Sequence, residues 1–460
     1  MSLPPLASGP QGPHALRPLL DTVLHALEQG TRARGGPLPA GGPRSVTARL
    51  QTALGDVLPH KGDPDAAATL IRTLAEGAAD PAHPLCAAHL HCPPLAIATA
   101  ADLAAAVLNP SLDSWDQAPS ASTLETLVTQ TLAQTVYNNT NTHTTPPADC
   151  LVTTGGTESN QLALLLARET HPGTRLICGQ AAHHSLTRAA WLLGLPDPIV
   201  IPTPHGTLDP ATLATTLTTQ PGPHLVAATA GTTDAGLIDP LPQIADLCTT
   251  HRARLHIDAA YGGGLLFSQH HRTKLTGLDR AHTVTLDLHK LGWQPVAAGL
   301  LAIKNPHDLQ ALRHHADYLN ADDDTQAGIP DLLGRSLRTT RRPDILKIAI
   351  TLKTLGRTGL ATLVDQVCTL AHQLADLIQA HPALELHAAP TISTVLFRPR
   401  RATDHTVAAI RRTLLHNGHA VLGRAHIDGR LWLKATLLNP HTQPGDLTTL
   451  LHLVEGTTPR

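Results

Sequence analysis

The stretch Thr283-Val284-Thr285-Leu286-Asp287-Leu288-His289-Lys290 ends in a lysine whose placement invites chemistry. Its alternating β-branched and apolar residues predict a buried strand, Thr283 to Leu288, delivering His289 and Lys290 at its end. A buried ammonium is costly unless it is paired or consumed. Imine formation with an aldehyde consumes it, removing the permanent charge and making the nitrogen a leaving group for an incoming amine. For the octapeptide alone, a lysine that snorkels to water at a strand end is the plainer reading.

Two stretches upstream change that balance. Leu255-His256-Ile257-Asp258-Ala259-Ala260 reads as a second apolar strand ending in a carboxylate, followed by Tyr261 and three glycines. A carboxylate at a strand tip can pair with a protonated ring nitrogen, the partner that pyridoxal phosphate needs to act as an electron sink. Earlier still, Thr153-Thr154-Gly155-Gly156-Thr157-Glu158-Ser159-Asn160 opens a helical run from Gln161 to Arg168. Glycines and hydroxyls at a helix N-terminus offer backbone N–H groups to a phosphate. Each signal is weak alone, whereas a phosphate cradle, a strand-tip Asp and a strand-tip Lys in that order are specific.

The elements needed to hold these residues are legible around them. Apolar runs at Cys150–Thr153, Arg175–Cys178, Ile199–Ile201, Leu225–Ala230, Leu255–Asp258 and Thr283–Leu288 alternate with helical patterns starting at Ser159 and Ser185. Such alternation predicts an α/β domain with a mainly parallel sheet, helices on both faces and ligands at the strand C-terminal ends. A helix from Asp344 to Leu355 leads to a smaller α+β region with strands at Thr391–Arg398 and Arg430–Leu438. Before residue 84, helical pieces such as Leu16–Leu27 and Asp65–Ala75 are punctuated by Gly and Pro, with too little apolar content for a separate core.

The trio, together with His89-Leu90-His91-Cys92-Pro93, Asp113-Ser114-Trp115-Asp116-Gln117, Ala230-Gly231-Thr232-Thr233-Asp234 and Ser336-Leu337-Arg338-Thr339-Thr340-Arg341-Arg342, resembles the group II pyridoxal-phosphate-dependent amino-acid decarboxylases. The resemblance runs from about Pro84 to Pro440 and is closest to the bacterial branch acting on 2,4-diaminobutyrate, lysine or ornithine. It implies PLP fold type I (aspartate-aminotransferase-like), with a seven-stranded sheet in the large domain. It also implies three regions: a helical arm over residues 1–84 packing across a homodimer, a large cofactor-binding domain over 85–355, and a small α+β C-terminal domain over 356–460.

By the same resemblance Lys290 is the imine-forming lysine, Asp258 the partner of the pyridine nitrogen, and His183 the residue that stacks on the ring and reaches the substrate carboxylate, with neighbouring His184 pointing elsewhere. Gly155, Gly156 and Thr157 would hold the phosphate, with Asp287 and His289 near it. Asp287, acceptor-only when ionised, could there only orient a donor or carry a proton. Ala260 would leave room under the ring, and Thr233 would bond near the phenolic oxygen or Asp258. His91 and Cys92 fall where the family meets the substrate carboxylate. Asp113 falls on a pocket position supplied across the dimer, where a carboxylate suits a distal ammonium; an Asp capping the next turn is the equal alternative. The aromatic branch's loop tyrosine, which reprotonates Cα, corresponds to Leu332 here, leaving Tyr318 and His183 as candidates for that task.

Composition agrees with a metabolic enzyme. The 460 residues carry a net charge of −2, so no basic surface points to nucleic acid or an anionic membrane. Thirty histidines read as compositional bias rather than as metal ligands. The six cysteines have no CxxC spacing, which predicts thiols in a reducing cytoplasm. Alternative outcomes on the same residues are an aromatic or acidic amino-acid decarboxylase, a transaminase, an oxidative deaminase, or a cofactor-free binding subunit.

Overall fold

The computed structural model describes residues 3–137 and 147–458. They form two compact units, one of residues 94–369 with 390–393, the other of residues 1–93, 370–389 and 394–460.

The first unit holds the large sheet. Its strands are β1 (Asp149–Thr153), β2 (Arg175–Gly179), β3 (Ile199–Ile201), β4 (His224–Thr229), β5 (Arg254–Ala259), β6 (Thr283–Asp287) and β7 (Gly299–Ile303), in the spatial order β1-β7-β6-β5-β4-β2-β3. Every residue of β4, β5, β6 and β7 is buried, as expected of central strands covered on both faces. All neighbouring pairs are parallel except those made by β7, which runs antiparallel to both β1 and β6. The seven strands bear out the α/β expectation. β7 is an addition to it, because Gly299-Leu-Leu-Ala-Ile303 carries no alternation to separate it from the apolar residues around it.

One predicted boundary is corrected. β6 stops at Asp287 rather than at Leu288, and Leu288–Leu291 forms a single helical turn that carries His289 and Lys290. The Leu288 N–H still donates to the Ala298 carbonyl (2.8 Å), after which the chain coils. The turn brings the side chain at position 290 back over residue 287, three positions earlier.

The second unit contains a five-stranded sheet in the order 86–87, 421–427, 430–436, 394–399, 384–386. Phe397, Leu422, Leu433 and Val454 lie in its core. Its helices Gly12–Arg34 and Ala66–Gly77 belong to the same compact body. The element Ile345–Ala380 is two helices meeting at Gly356, whose φ of 61° is not helical. Among the described residues no helix is long and apolar enough to cross a membrane.

Candidate active site

The helix Gly156–Thr170 starts where β1 ends, and its first internal bond runs from the Ser159 N–H to the Gly155 carbonyl. The N–H groups of Gly156, Thr157 and Glu158 therefore have no partner within the helix. Glycine is required here by space. A Cβ on Gly155 would lie 3.0 Å from the His289 ring, and one on Gly156 would lie 3.0 Å from the Ala260 Cβ and 3.1 Å from Asp287 Oδ2. From the other side β7 presses Gly299 against the same loop, where an added Cβ would come within 2.4 Å of the Gly155 backbone. The entry to the cradle is braced by Glu158, which accepts from the Thr154 N–H (2.6 Å) and hydroxyl (2.7 Å) and pairs with Arg338 at 3.2 Å.

Facing this cradle is Asp287, 5 % exposed. Its Oδ2 accepts from Lys290 Nζ at 2.7 Å and lies 3.5 Å from His289 Nε2. Because the Ala298 N–H donates to His289 Nδ1 (3.2 Å), the neutral His289 ring carries its hydrogen on Nε2, toward Asp287. Burial pushes the His289 imidazole below its ordinary value, against the pull of Asp287. The Asp287 Oδ1 is buried and has no hydrogen-bond partner among the described residues.

Asp258 is differently served. β5 and β6 lie side by side in parallel, with Asp258 opposite Thr285 and Ala259 opposite Leu286. Asp258 Oδ1 accepts from the Ala260 N–H (3.0 Å) and Oδ2 from Asn160 Nδ2 (2.8 Å). Asn160, fully buried in the second turn of the Gly156–Thr170 helix, also donates to Ser185 Oγ (2.8 Å), accepts from Thr285 Oγ1 (2.8 Å) and meets His256 Nε2 (3.0 Å). Burial pushes the His256 imidazole down to about 4, so it is neutral. His183 sits at the next helix start, its Nδ1 2.8 Å from Ser185 Oγ, and its ring lies 4.2 Å from that of His184 at a 43° tilt. It lies within electrostatic reach of both Asp258 and Lys290.

The structure thus gathers Gly155, Gly156, Ala260, Asp287, His289 and Lys290 around the cradle, and Asp258 and His183 around Asn160. Thr233 is exposed in the loop after β4, while Thr232 beside it is buried and accepts from the Leu237 N–H (3.0 Å). Asp113 is buried, with its carboxylate held by Gln117 Nε2 at 2.7 Å. His91 and Cys92 belong to the other compact unit, the former exposed and the latter buried. Tyr137 and Tyr261 are committed to the interior, Tyr137 to the Ala302 carbonyl (3.1 Å) and Tyr261 to Ser393 Oγ (2.9 Å). Tyr318 is 81 % exposed, and Leu332 is buried.

Sequence reasoning passed over Asn160, Ser185 and His256. Asn160 had a signal, since an amide inside an apolar helical run is tolerated when buried only if its bonds are met. The motif alone names no partner for Arg338 or Arg341. The structure pairs Arg338 with Glu158, and Arg341 with Glu125 through two 2.7 Å bonds in a buried fork.

A mainly parallel seven-stranded sheet carrying this cradle, aspartate and lysine is that of the fold type I pyridoxal-phosphate enzymes. The family model described as the pyridoxal-dependent decarboxylase conserved domain matches residues 58–400. The chain belongs to that family and is a pyridoxal-phosphate-dependent amino-acid decarboxylase. It is 39 % identical over 422 residues to the L-2,4-diaminobutyrate decarboxylase of Rhizobium meliloti (strain 1021), covering 87 % of this chain and 84 % of the relative. It is 31 % identical over 413 residues to the enzyme of the same description from Acinetobacter baumannii, covering 80 % and 79 %. Among solved structures, the glutamate decarboxylase domain of diaminobutyrate-pyruvate transaminase and L-2,4-diaminobutyrate decarboxylase from Vibrio parahaemolyticus superposes with a TM-score of 0.84 at 30 % identity, over 98 % of this chain and 96 % of that one. Tryptamine-bound TDC from Oryza sativa, at 22 % identity and a TM-score of 0.88, shares the fold.

The residues present fit pyridoxal phosphate. The cradle is cleared of side chains at Gly155 and Gly156, and the N–H groups of Gly156, Thr157 and Glu158, which have no partner within the helix, are those that a helix N-terminus offers to a phosphate.

Proposed function

We propose that this decarboxylase acts on a diamino acid, with 2,4-diaminobutyrate ahead of lysine and ornithine. The observation that carries the choice is the pair of diaminobutyrate decarboxylases at 39 % and 31 % identity over four-fifths or more of the chain. When bound, the cofactor supplies an aldehyde that joins an amine and a ring that takes up an electron pair. The rest falls to the protein. Lys290 Nζ would bind the aldehyde carbon, and Asp258 would hold a proton on the ring nitrogen. The N–H groups of Gly156 and Thr157 would bind the phosphate, with Gly155 giving the backbone access and His289 beside them. Ala260 would lie under the ring, His183 would stack on it, and Thr233 would meet its edge. Carbon dioxide leaves, its bonding pair stays with the substrate, and Cα then takes a proton.

Substrate selection would rest on Asp113, whose buried carboxylate suits a distal ammonium because a desolvated charge pair is stronger than a surface one. His91 and Cys92 would meet the substrate carboxylate. The active form would be a homodimer in the cytoplasm, with residues 1–84 as an arm packing across it, residues 85–355 as the cofactor domain and 356–460 as the small domain.

The test is a panel of diaminobutyrate, ornithine, lysine, glutamate, aspartate, tyrosine and tryptophan with purified protein, scoring carbon dioxide against stoichiometric amine. Diaminobutyrate should be turned over best; a preference for glutamate or tyrosine would overturn the choice. Asp113→Asn should raise KM for the diamino acid about tenfold or more while cofactor affinity stays within about twofold, and unchanged kinetics would remove Asp113 from the pocket.

A further inference from the structure

Asn160 can make four hydrogen bonds through its side chain, two given and two received, and it makes all four. A carboxylate only accepts, so the atom facing Asp258 Oδ2 at 2.8 Å is the amide nitrogen. The amide oxygen consequently faces Thr285 Oγ1 and His256 Nε2, and both must donate. His256 then bears its hydrogen on Nε2, and its Nδ1 accepts from Thr283 Oγ1 at 2.9 Å.

The second Asn160 hydrogen goes to Ser185 Oγ, which spends its own hydrogen on the remaining neighbour, His183 Nδ1, at 2.8 Å. The Ser185 backbone N–H points at the same ring nitrogen from 3.3 Å. Two donors on one nitrogen leave no place there for a hydrogen. The ring's single hydrogen belongs on Nε2.

We propose that Asn160 and Ser185 are positioning residues that fix His183 as the neutral Nε2–H tautomer, a hydrogen-bond donor that does not carry protons during turnover. A proton arriving at Nδ1 would break the bonds from Ser185. A proton leaving Nε2 would create an imidazolate. His183 is thereby suited to grip an anionic group of the substrate, and reprotonation of Cα falls to another group, for which Tyr318 is the exposed tyrosine. The charged and titratable groups facing the ring are consistent with this. Burial pushes the His183 imidazole down; His184 and Lys290 act in the same direction, and the carboxylates of Asp258 and Asp287 oppose it. The same Asn160 amide ties the ring to Asp258, so a change at either end of the chain of bonds is felt at the other.

The inference rests on the decarboxylase reading only for what His183 grips. Nitrogen-15 NMR of the holoenzyme labelled at histidine, with His183 assigned by difference from His183→Gln, reads the tautomer without substrate. A neutral ring bearing hydrogen on Nε2 at pH 7 is expected; a hydrogen on Nδ1, or an imidazolium, would overturn the proposal whatever the protein decarboxylates. Ser185→Ala removes the hydroxyl donor and should move the acid limb of the kcat/KM profile up by about one pH unit, a loss that grows toward about tenfold as pH falls through the limb, with little change at pH 8. A profile identical to the parent's, or a uniform loss at all pH values, would reduce Ser185 to a structural residue and overturn its part. Asn160→Ala should shift the limb in the same direction, because Ser185 Oγ then loses the donor that orients it. If that variant does not fold, the NMR of the parent holoenzyme and the Ser185→Ala profile still decide.

Discussion

Two carboxylates stand on adjacent strands of this sheet, Asp258 near the end of β5 and Asp287 at the end of β6, equally buried at 5 % exposure. Around Asp258 both oxygens have protein donors, and the network behind them, to Thr285, His256 and Ser185, uses all four hydrogen-bonding positions of the Asn160 amide. Around Asp287 one oxygen collects Lys290 and His289 while the other has no donor among the described residues. A completed network gives rigidity, and an orphaned buried oxygen calls for a partner brought by a ligand or a proton. One side of the site is therefore built as a fixed backstop, and the other keeps a carboxylate oxygen open beside the phosphate cradle.

The comparison is most exposed to substitutions that remove the reacting ends. Lys290→Ala should abolish turnover, by about a thousandfold or more, together with the visible absorbance of the bound cofactor, both read on purified protein. Retained turnover would detach the Asp287 side from the chemistry. Asp258→Asn should lower kcat by about a hundredfold, with the cofactor still bound, because an amide cannot hold a proton on a ring nitrogen as a carboxylate does. Loss of cofactor instead would show that Asp258 anchors rather than tunes.

The backstop should also be sensitive to acid. His256 has its value lowered by burial to about 4 in the fold, against an ordinary 6.5, so the unfolded chain binds the extra proton between those values. His282, on the strand's flank and also lowered by burial to about 4, acts in the same direction. Stability contributed by the neutral rings is complete above pH 6.5 and is lost progressively as pH falls toward 4. Denaturant midpoints measured from pH 7 to 4.5 should fall, and His256→Asn should flatten the slope. The smallest effect is expected at Asp287. Asp287→Asn removes a carboxylate beside a phosphate site, so cofactor dissociation should slow severalfold, more at pH 8 than at pH 5.5, because phosphate gains its second charge near pH 6. Faster dissociation would mean that the carboxylate holds a donor, His289 or Lys290, in place for the phosphate.

Much of the sheet and the ends of its strands could be read from the chain, because β5 and β6 are short apolar runs that stop at charged or small residues. The break at Gly356 lay where the sequence placed the end of the 344–355 helix, although the chain resumes a helix beyond it. β7 has no alternation to mark it as a strand, although Asn305-Pro306 just beyond it signals a turn. The catalytic trio was visible because each member sits on a motif of known chemical use. Asn160 and Ser185 were not, because their partners lie 98 and 25 residues away and only the fold reveals that each bond is met. Burial likewise pushes the thiols of Cys178 and Cys368 up to about 11 and that of Cys248 up to about 12, and none of the six cysteines is in a disulfide.

Gly299 gives the least conspicuous strand an outsized hold over the site. The backbone of Gly155 rests directly on it, without a side chain between them, so the height of the phosphate seat above the sheet is set by the thickness of one bare peptide. Even an alanine at 299 would have to lift that seat or bend β7 away. Random mutagenesis of the gene should therefore return a cold spot at a position that shows no chemical function of its own.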